Sequence, residues 1–225
     1  MIPVTLRYLK PTYFLDYNDA IVQQFAEDNC SPSASKTDKA VQLYYAVRDK
    51  IHYDPYDLQK APETLRASSV VKKGSGYCVA KAVLLAAAAR QQKIQSRLGF
   101  ADVTNHLSTK KLRKIMASNL FIYHGYTELL LEDRWVKATP AFNLSLCLKF
   151  KVQPLEFDGA KDSLFHEYNT LGQKHMEYIR DHGNFDDLPF DHIFREYEKK
   201  YPGMLDHFSR LTHKNFSKEA AEENR

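Results

Sequence analysis

Of the three cysteines in the chain, Cys78 has the surroundings that nucleophilic chemistry requires. It follows Gly74, Gly76 and Tyr77, and it precedes residues 79–90, a run of strong helix formers without glycine or proline. Cys78 is therefore expected in the first turn of a helix, where unpaired N–H groups and the helix dipole favour the thiolate, the nucleophilic form of cysteine. The alternative is a small buried cysteine that only packs against the turn.

The helix predicted after Cys78 is apolar on nearly every side. A helix of this kind is buried and does not lie on the surface of a globular protein. We therefore expect it at the centre of the molecule, with the other elements packed around it.

A β-hairpin is predicted further along the chain. Residues 120–130 and 134–141 are rich in aromatic and apolar side chains, and the short turn Glu132-Asp133 separates them. A two-residue turn pairs Glu128 with Lys137. An opposite-charge pair across neighbouring strands supports this register.

The same register gives His124 its predicted neighbours. It lies opposite Ala141 and diagonal to Thr139 and Asn143. A cysteine and a histidine that are distant in sequence need only meet in space, so their separation is no objection to a catalytic pair. Taken alone, a strand histidine is more often an ordinary residue hydrogen-bonded to a neighbour.

The remaining segments complete an α+β chain, with helices first, then an antiparallel sheet, then a helical end. Ser35 and Asp38 fit a capping box before a helix that ends ahead of Pro55. The other expected elements are an extended start at residues 4–8, a helix at 20–27, a helical turn at 62–67, a strand at 96–103, a partly helical connection at 107–117, helices at 171–180 and 191–199, and a frayed, charged tail from residue 214.

Length and composition exclude several classes of protein. The 225 residues suffice for one domain with a full core, or for one domain with a helical extension. The net charge is +4, and the basic run at residues 110–114 is interpreted as a solvated helix face, so we expect no nucleic-acid partner. No apolar run reaches the roughly 18–20 residues of a membrane span, so we expect no membrane partner.

The cysteines and the N-terminus indicate the compartment. Three widely spaced cysteines do not make a disulfide framework and suit a reducing cytoplasm, which is the expected location. The first residues lack a basic start followed by an apolar core, so no signal peptide is expected. Cys30 and Cys147 have no nearby histidine pattern and are expected to be structural.

Two other chemistries were weighed and are not favoured. Four histidines between residues 166 and 192 lie near several aspartates, but none of the usual zinc spacings occurs, so we expect no metal and no cofactor. The glycines before Cys78 can cradle a phosphate, but the Lys-Ser/Thr of a P-loop is missing. The histidines in question are His166, His175, His182 and His192.

Several motifs in order resemble a known family, the transglutaminase-like proteins. Its front half is similar to Ile51-His52-Tyr53-Asp54, Pro62-Glu63-Thr64-Leu65 and Gly76-Tyr77-Cys78. Its His-strand and Trp-strand are similar to His124-Gly125-Tyr126-Thr127-Glu128 and Arg134-Trp135-Val136-Lys137-Ala138-Thr139-Pro140. The resemblance covers roughly residues 37–143. It implies a domain division into an N-terminal extension (1–36), a transglutaminase-like core (37–150) and a mostly helical C-terminal extension packed on the core (151–225).

The resemblance implies a papain-like fold, in which a cysteine opens a central helix and an antiparallel sheet supplies a histidine and then an acid. It makes Cys78 the nucleophile and His124 its general base. The thiolate would attack an amide or ester carbonyl, and the imidazolium would protonate the leaving amine, which leaves a thioester. Water would then give hydrolysis, and an amine would give acyl transfer.

One position departs from the family pattern. The third catalytic residue is usually an aspartate just before a proline of the Trp-strand, and Thr139 occupies that position here. A threonine hydroxyl can accept a hydrogen bond from the imidazole but cannot stabilise imidazolium by charge. Asn143 lies on the same predicted face and would give a Cys-His-Asn arrangement, and an acid from elsewhere, such as Asp158 or Asp162, is the next alternative.

The sequence therefore predicts a cysteine enzyme that cleaves or transfers an amide bond of a peptide or protein substrate. Backbone N–H groups near Gly76, Tyr77 and Cys78 would hold the oxyanion, and Trp135 would form core or pocket wall. The alternative is a catalytically weakened relative that binds a peptide or protein partner in the same cleft, which the substitution at Thr139 supports.

Overall fold

The computed structural model describes residues 4–106, 108–164, 172, 175–211 and 216–223. Helices and strands follow one another along the chain without a linker between separate units. The helices are α1 (Val4–Arg7), α2 (Ala20–Asp28), α3 (Lys36–Lys50), α4 (Ala67–Lys73), α5 (Cys78–Gln91), α6 (Lys110–Met116), α7 (Leu144–Phe150), α8 (Phe190–Lys200), α9 (Met204–Arg210) and α10 (Phe216–Glu223), with short 3-10 turns at Pro55–Asp57 and Pro62–Leu65. The strands are β1 (His52–Tyr53), β2 (Ser75–Gly76), β3 (Ser96–Asn105), β4 (Leu120–Leu131), β5 (Arg134–Ala138) and β6 (Met176–Phe185).

Helix α5 is the centre of the molecule, as its all-round apolar sequence predicts. Every residue from Cys78 to Arg90 is buried. Its many alanines let neighbouring elements approach closely, and α2, α3 and α4 pack against it together with the strands β3 and β4.

A four-stranded antiparallel sheet in the order β5-β4-β3-β6 covers one side of α5. The predicted hairpin is confirmed in its register, because Glu128 pairs with Lys137. Both turn residues, Glu132 and Asp133, have positive φ angles of 46° and 59°. A two-residue hairpin turn of the I′ type requires that backbone, since its twist matches that of the strands.

A short parallel pair of strands fixes the loop in front of Cys78. His52 pairs with Ser75 and Tyr53 pairs with Gly76. The preceding helix α4 ends at Gly74, which adopts the left-handed conformation that glycine tolerates best. The chain is therefore held on both sides of the turn before it enters α5.

Three local predictions are wrong. Residues 176–180 belong to strand β6 and not to a helix at 171–180, of which residues 171, 173 and 174 lie outside the described residues. β6 is an edge strand with few buried side chains, so its sequence carries no clear period, and pairing with β3 determines its structure.

The two ends of the chain also differ from expectation. Val4–Arg7 form one helical turn and not an extended segment. The described part of the tail, Phe216–Glu223, forms α10, because Phe216 and Ala220, four residues apart, present one apolar face that is buried.

The C-terminal region is integrated with the core in the described residues. β6 adds a strand to the central sheet beside β3, and α10 packs on α7. The predicted domain boundaries at residues 36 and 150 stay predictions, and the C-terminal region combines one strand with three helices.

Candidate active site

Cys78 is the first residue of α5, where the sequence predicts it. Tyr77 precedes the helix in an extended conformation, and the parallel pair of β1 and β2 holds the turn before it. The backbone N–H groups of Cys78, Val79 and Gly125 lie near the sulfur and act to lower the pKa of its thiol. Gly125 comes close because it has no side chain, since a Cβ atom there would lie 2.9 Å from the Cα of Val79.

Burial affects the pKa of the Cys78 thiol more strongly than these N–H groups do. Only 8% of Cys78 is exposed, and burial raises the pKa of its thiol to about 11, although the three N–H donors act to lower it. Burial therefore opposes the thiolate that the position at the helix N-terminus favours. Nucleophilic attack by Cys78 would then need a base that removes the proton from its sulfur.

His124 lies on β4 at a point where the strand is irregular. Ala101 of β3 pairs with His124 and Val103 pairs with Phe121, so two residues of β4 oppose the single residue Asp102 of β3. This β-bulge places the histidine at the start of the regular part of the strand. The imidazole is 8% exposed.

Cys78 and His124 line the same cavity, whose volume is about 50 Å³. Its wall is largely apolar and comes from three directions: the loops around Tyr53 and Tyr77, the helix α6, and the C-terminal segment of α8 and α9. The other lining residues are Pro55, Leu58, Leu112, Met116, Phe121, Ile122, Tyr197, Tyr201, Met204 and Phe208. The C-terminal residues among them form a roof over the pair, which we define as Tyr197, Tyr201, Met204 and Phe208.

Burial raises the pKa of four tyrosines of this wall, and the charge of a Cys78 thiolate would raise each of them further. They are Tyr53, Tyr77, Tyr197 and Tyr201. The hydroxyl of Tyr77 is buried and has no hydrogen-bond partner among the described residues. An unpartnered buried hydroxyl is uncommon and calls for an explanation, because it forgoes its hydrogen bonds to water without replacing them.

The two candidates for the third catalytic residue lie outside the lining of this cavity. The Thr139 hydroxyl is buried and makes no hydrogen bond within the described residues. The Asn143 side chain accepts a hydrogen bond from the N–H of Tyr53 (3.2 Å) and donates one to Ser145 (2.7 Å). It therefore connects strand β1 to the start of α7. Their roles beside His124 stay predictions.

The acids named as alternatives stabilise a turn and a strand edge. Asp158 accepts hydrogen bonds from the N–H groups of Ala160 and Lys161, both at 2.8 Å. Asp162 accepts one from the N–H of Lys137 (2.9 Å). These hydrogen bonds give both carboxylates a structural role, and neither residue lines the cavity.

The remaining predicted site residues have clear positions. A Cβ atom at Gly76 would lie 2.8 Å from the Cβ of Ala80, so the close approach of the loop to α5 requires glycine. Trp135 packs edge-on against Tyr8 (5.1 Å between ring centroids) and beneath the guanidinium of Arg97 (4.1 Å). Trp135 is thus part of the packing of the sheet and does not line the cavity.

Sequence reasoning missed the roof over the site. The signal was present in α8, where Phe190, Ile193, Phe194 and Tyr197 recur at helical spacing and are buried. That spacing identifies a buried face but not the element that it covers. Within the described residues, no three His, Cys, Asp or Glu side chains are grouped so that they can hold a metal ion.

Comparison with known families identifies the chain. The sequence profile of the transglutaminase-like superfamily matches residues 23–140, just over half of the chain. This chain belongs to the transglutaminase-like superfamily. The match runs from α2 to the residue after Thr139, so it includes Cys78, His124 and the hairpin.

This membership confirms the resemblance and the α+β fold predicted from the sequence. Members of the superfamily are typically cysteine-dependent enzymes. No curated protein matches the sequence significantly. In the part of the chain that the structure describes, no helix has the length and apolar character needed to cross a membrane.

One solved structure is similar to this transglutaminase-like chain. It is a protein of Cytophaga hutchinsonii described as a "putative cysteine protease", with 12% sequence identity and a TM-score of 0.48. The alignment covers 82% of this chain and 55% of that protein, so this chain spans about half of its length.

Proposed function

We propose that this chain is a cysteine enzyme in which Cys78 attacks the carbonyl carbon of an amide or peptide bond and His124 acts as its base. The observation that carries the proposal is that both side chains line one buried cavity, with the cysteine at the N-terminus of the central helix. Membership of the transglutaminase-like superfamily supports the same assignment.

The raised pKa of Cys78 favours one version of the mechanism. Because burial raises the pKa of the Cys78 thiol, the sulfur would not be a preformed thiolate, and His124 would remove its proton as the sulfur attacks. The new S–C bond gives a tetrahedral oxyanion. The imidazolium then donates its proton to the leaving nitrogen, the C–N bond breaks, and a thioester remains on Cys78.

The N-terminus of α5 and the neighbouring strand β4 would supply the donors for the oxyanion. The N–H groups of Cys78, Val79 and Gly125 lie near the sulfur, so the carbonyl oxygen of the group that the sulfur attacks would develop its charge close to them. The unpartnered buried hydroxyl of Tyr77, the residue before the nucleophile, is a further candidate donor. In the second half of the reaction, His124 would take a proton from water or from an amine that attacks the thioester.

The test is iodoacetamide labelling of each cysteine, followed by peptide mass spectrometry, between pH 5 and pH 9. We expect the rate at Cys78 to fall roughly 100-fold in His124→Ala across this pH range. Cys30 and Cys147 are internal controls, since both are buried and neither lines the cavity. Equal rates at Cys78 in the wild type and in His124→Ala would refute the proposal.

The substitution of the usual acid favours a second candidate function. Thr139 stands at that position, and Tyr197, Met204 and Phe208 add apolar wall to the cavity, so the cavity would instead serve as a binding site for a peptide or protein partner. In that case iodoacetamide would label Cys78 slowly at every pH, in the wild type and in His124→Ala alike.

A further inference from the structure

The irregular segment of β4 before His124 is held by side chains from other elements. In a regular strand, Phe121 and His124 would face opposite sides of the sheet because they are three residues apart. Here both line the cavity, since the bulge at Ile122 and Tyr123 adds one residue and restores them to the same side. The bulge therefore allows His124 to face the cavity of Cys78.

The bulge carries backbone strain at the residue next to the histidine. Tyr123 has a φ angle of 52°, in the left-handed region that side chains other than glycine rarely adopt. Such a conformation persists only where the surrounding structure enforces it, and it is concentrated at functional sites.

Side chains replace the strand hydrogen bonds that the bulge interrupts. The N–H of Tyr123 donates to Asp102 Oδ1 (3.0 Å), and the N–H of Ile122 donates to the hydroxyl of Tyr201 (2.8 Å). The same hydroxyl donates to the carbonyl of Leu120 (2.7 Å). These bonds give two N–H groups and one carbonyl of this segment a partner in place of the interrupted strand pairing.

The buried pair of Asp102 and His182 also stabilises the position of the Tyr123 side chain. His182 Nε2 lies 2.6 Å from Asp102 Oδ1, and both side chains are largely buried. The His182 ring stacks on the Tyr123 ring with 3.9 Å between centroids and 16° between planes. The Tyr123 hydroxyl lies 2.7 Å from His192 Nε2 on α8.

We infer that Asp102 and His182 are positioning residues for His124. Asp102 accepts a hydrogen bond from the N–H of Tyr123 and so stabilises its strained backbone. His182 contacts both the Asp102 carboxylate and the Tyr123 ring. Together the two residues orient the His124 imidazole toward the cavity. These two residues act through Tyr123 and do not replace Thr139 or Asn143 beside the ring. The inference rests on the proposed role of His124 as base.

The test compares Asp102→Ala with Asp16→Ala. Asp16 is also a buried carboxylate that accepts a backbone N–H, from Ser68 (3.1 Å), but it lies outside the cavity lining, so it controls for loss of stability. Two conservative variants separate the contributions. Asp102→Asn keeps an oxygen acceptor for Tyr123, and His182→Phe keeps the stacked ring but loses the hydrogen bond to Asp102.

Two readouts are recorded on folded protein: the iodoacetamide rate at Cys78 at pH 7, and the 15N signals of the His124 ring, assigned with His124→Ala. We expect Asp102→Ala to lower the rate by about 10- to 100-fold and to shift the His124 ring signals. Asp16→Ala should do neither, and Asp102→Asn should restore most of the rate. His182→Phe should show a smaller change of the same kind.

Wild-type ring signals and a wild-type rate in folded Asp102→Ala, or in His182→Phe if Asp102→Ala does not fold, would overturn the inference. Equal changes in Asp102→Ala and Asp16→Ala would also overturn it, because they would show a general loss of stability. A wild-type rate that does not depend on His124 would refute the proposed function. The ring signals would still decide whether Asp102 positions the histidine.

Discussion

At the scale of single residues, burial and hydrogen bonding act in opposite directions on the Cys78 thiol. Three N–H donors around the sulfur favour the thiolate, but removal from water favours the neutral thiol, and the net result is a pKa of about 11. A residue at a helix N-terminus is therefore not automatically an anion. Its charge depends on how far the site is closed to solvent.

The first prediction concerns this ionisation. The thiolate absorbance near 240 nm, taken as the difference between the wild type and Cys78→Ser, should appear with a midpoint at about pH 11, and not near the free-cysteine value of about 8.5. Because the pKa is higher in the folded than in the unfolded state, Cys78 should also lower the free energy of unfolding as the pH rises between these two values. A thiolate signal at pH 6 to 7 would show instead that a stable ion pair with His124 forms.

The second prediction concerns the Tyr77 hydroxyl. Tyr77→Phe removes a buried hydroxyl that has no described partner, so the free energy of unfolding should stay the same or rise by up to about 1 kcal/mol. If the hydroxyl helps to hold the oxyanion, acylation of Cys78 should fall roughly 100-fold in the same variant.

Tyr44→Phe is the matched control for this change. The Tyr44 hydroxyl is buried and donates to the carbonyl of Leu155 (2.9 Å). Its removal should lower the free energy of unfolding by about 1–3 kcal/mol, as measured by urea denaturation. Loss of stability in Tyr77→Phe of the same size would show that its hydroxyl has a structural partner.

The sequence suggests Cys78 and His124 as candidate site residues because their surroundings are local signals, and the structure places both on one cavity. Cys78 opens a helix that its own composition predicts, and His124 belongs to a hairpin whose register follows from the turn and the Glu128–Lys137 pair. The bulge before His124 and the partners of Asn143 could not be predicted in the same way. They depend on Asp102, His182 and Tyr53, which come from other parts of the chain.

At the scale of elements, the buried side chains of two basic residues, Lys81 and Arg90, anchor the central helix. Lys81 donates to the carbonyls of Arg48 (2.9 Å) and Ile51 (2.6 Å) at the end of α3. Arg90 donates to the carbonyls of Lys10, Ser96 and Asp186, which lie in three separate loops and strands. Periodicity identifies α5 as buried, but it does not reveal that its charged residues supply donors to neighbouring elements.

The third prediction tests the first of these anchors. Lys81→Met fills similar space but leaves two buried carbonyls without their donor, so it should lower the free energy of unfolding by about 2–4 kcal/mol. Lys72→Met, the same exchange at an exposed position on α4, should change it by less than about 0.5 kcal/mol. Similar urea midpoints for the two variants would show that the Lys81 contacts contribute little.

At the scale of the whole molecule, the C-terminal region completes both the sheet and the site. β6 pairs with β3, and α8 and α9 supply the roof over Cys78 and His124. This arrangement brings residues about 120 positions after the cysteine into its cavity. The sequence predicted α8 from its spacing, but β6 was missed because long-range pairing with β3 determines its structure.

The fourth prediction concerns access through the roof. Met204→Ala shortens a side chain that lines the cavity, so iodoacetamide should label Cys78 faster, by roughly 10-fold, as local opening becomes easier. Leu205→Ala is the control, because the neighbouring Leu205 packs on the core but does not line the cavity. Equal acceleration in both variants would attribute the effect to stability and not to the roof.

The most direct test of the central claim is acyl transfer to the cysteine. Protein is mixed with p-nitrophenyl acetate at pH 7.5, and the acyl group is located by peptide mass spectrometry in the wild type, Cys78→Ser and His124→Ala. The account predicts an acetyl group on Cys78 in the wild type, none at position 78 in Cys78→Ser, and acylation slowed by roughly 100-fold in His124→Ala. Acylation at Cys78 with the same rate in the wild type and His124→Ala, or no acylation of Cys78 at all, would contradict it.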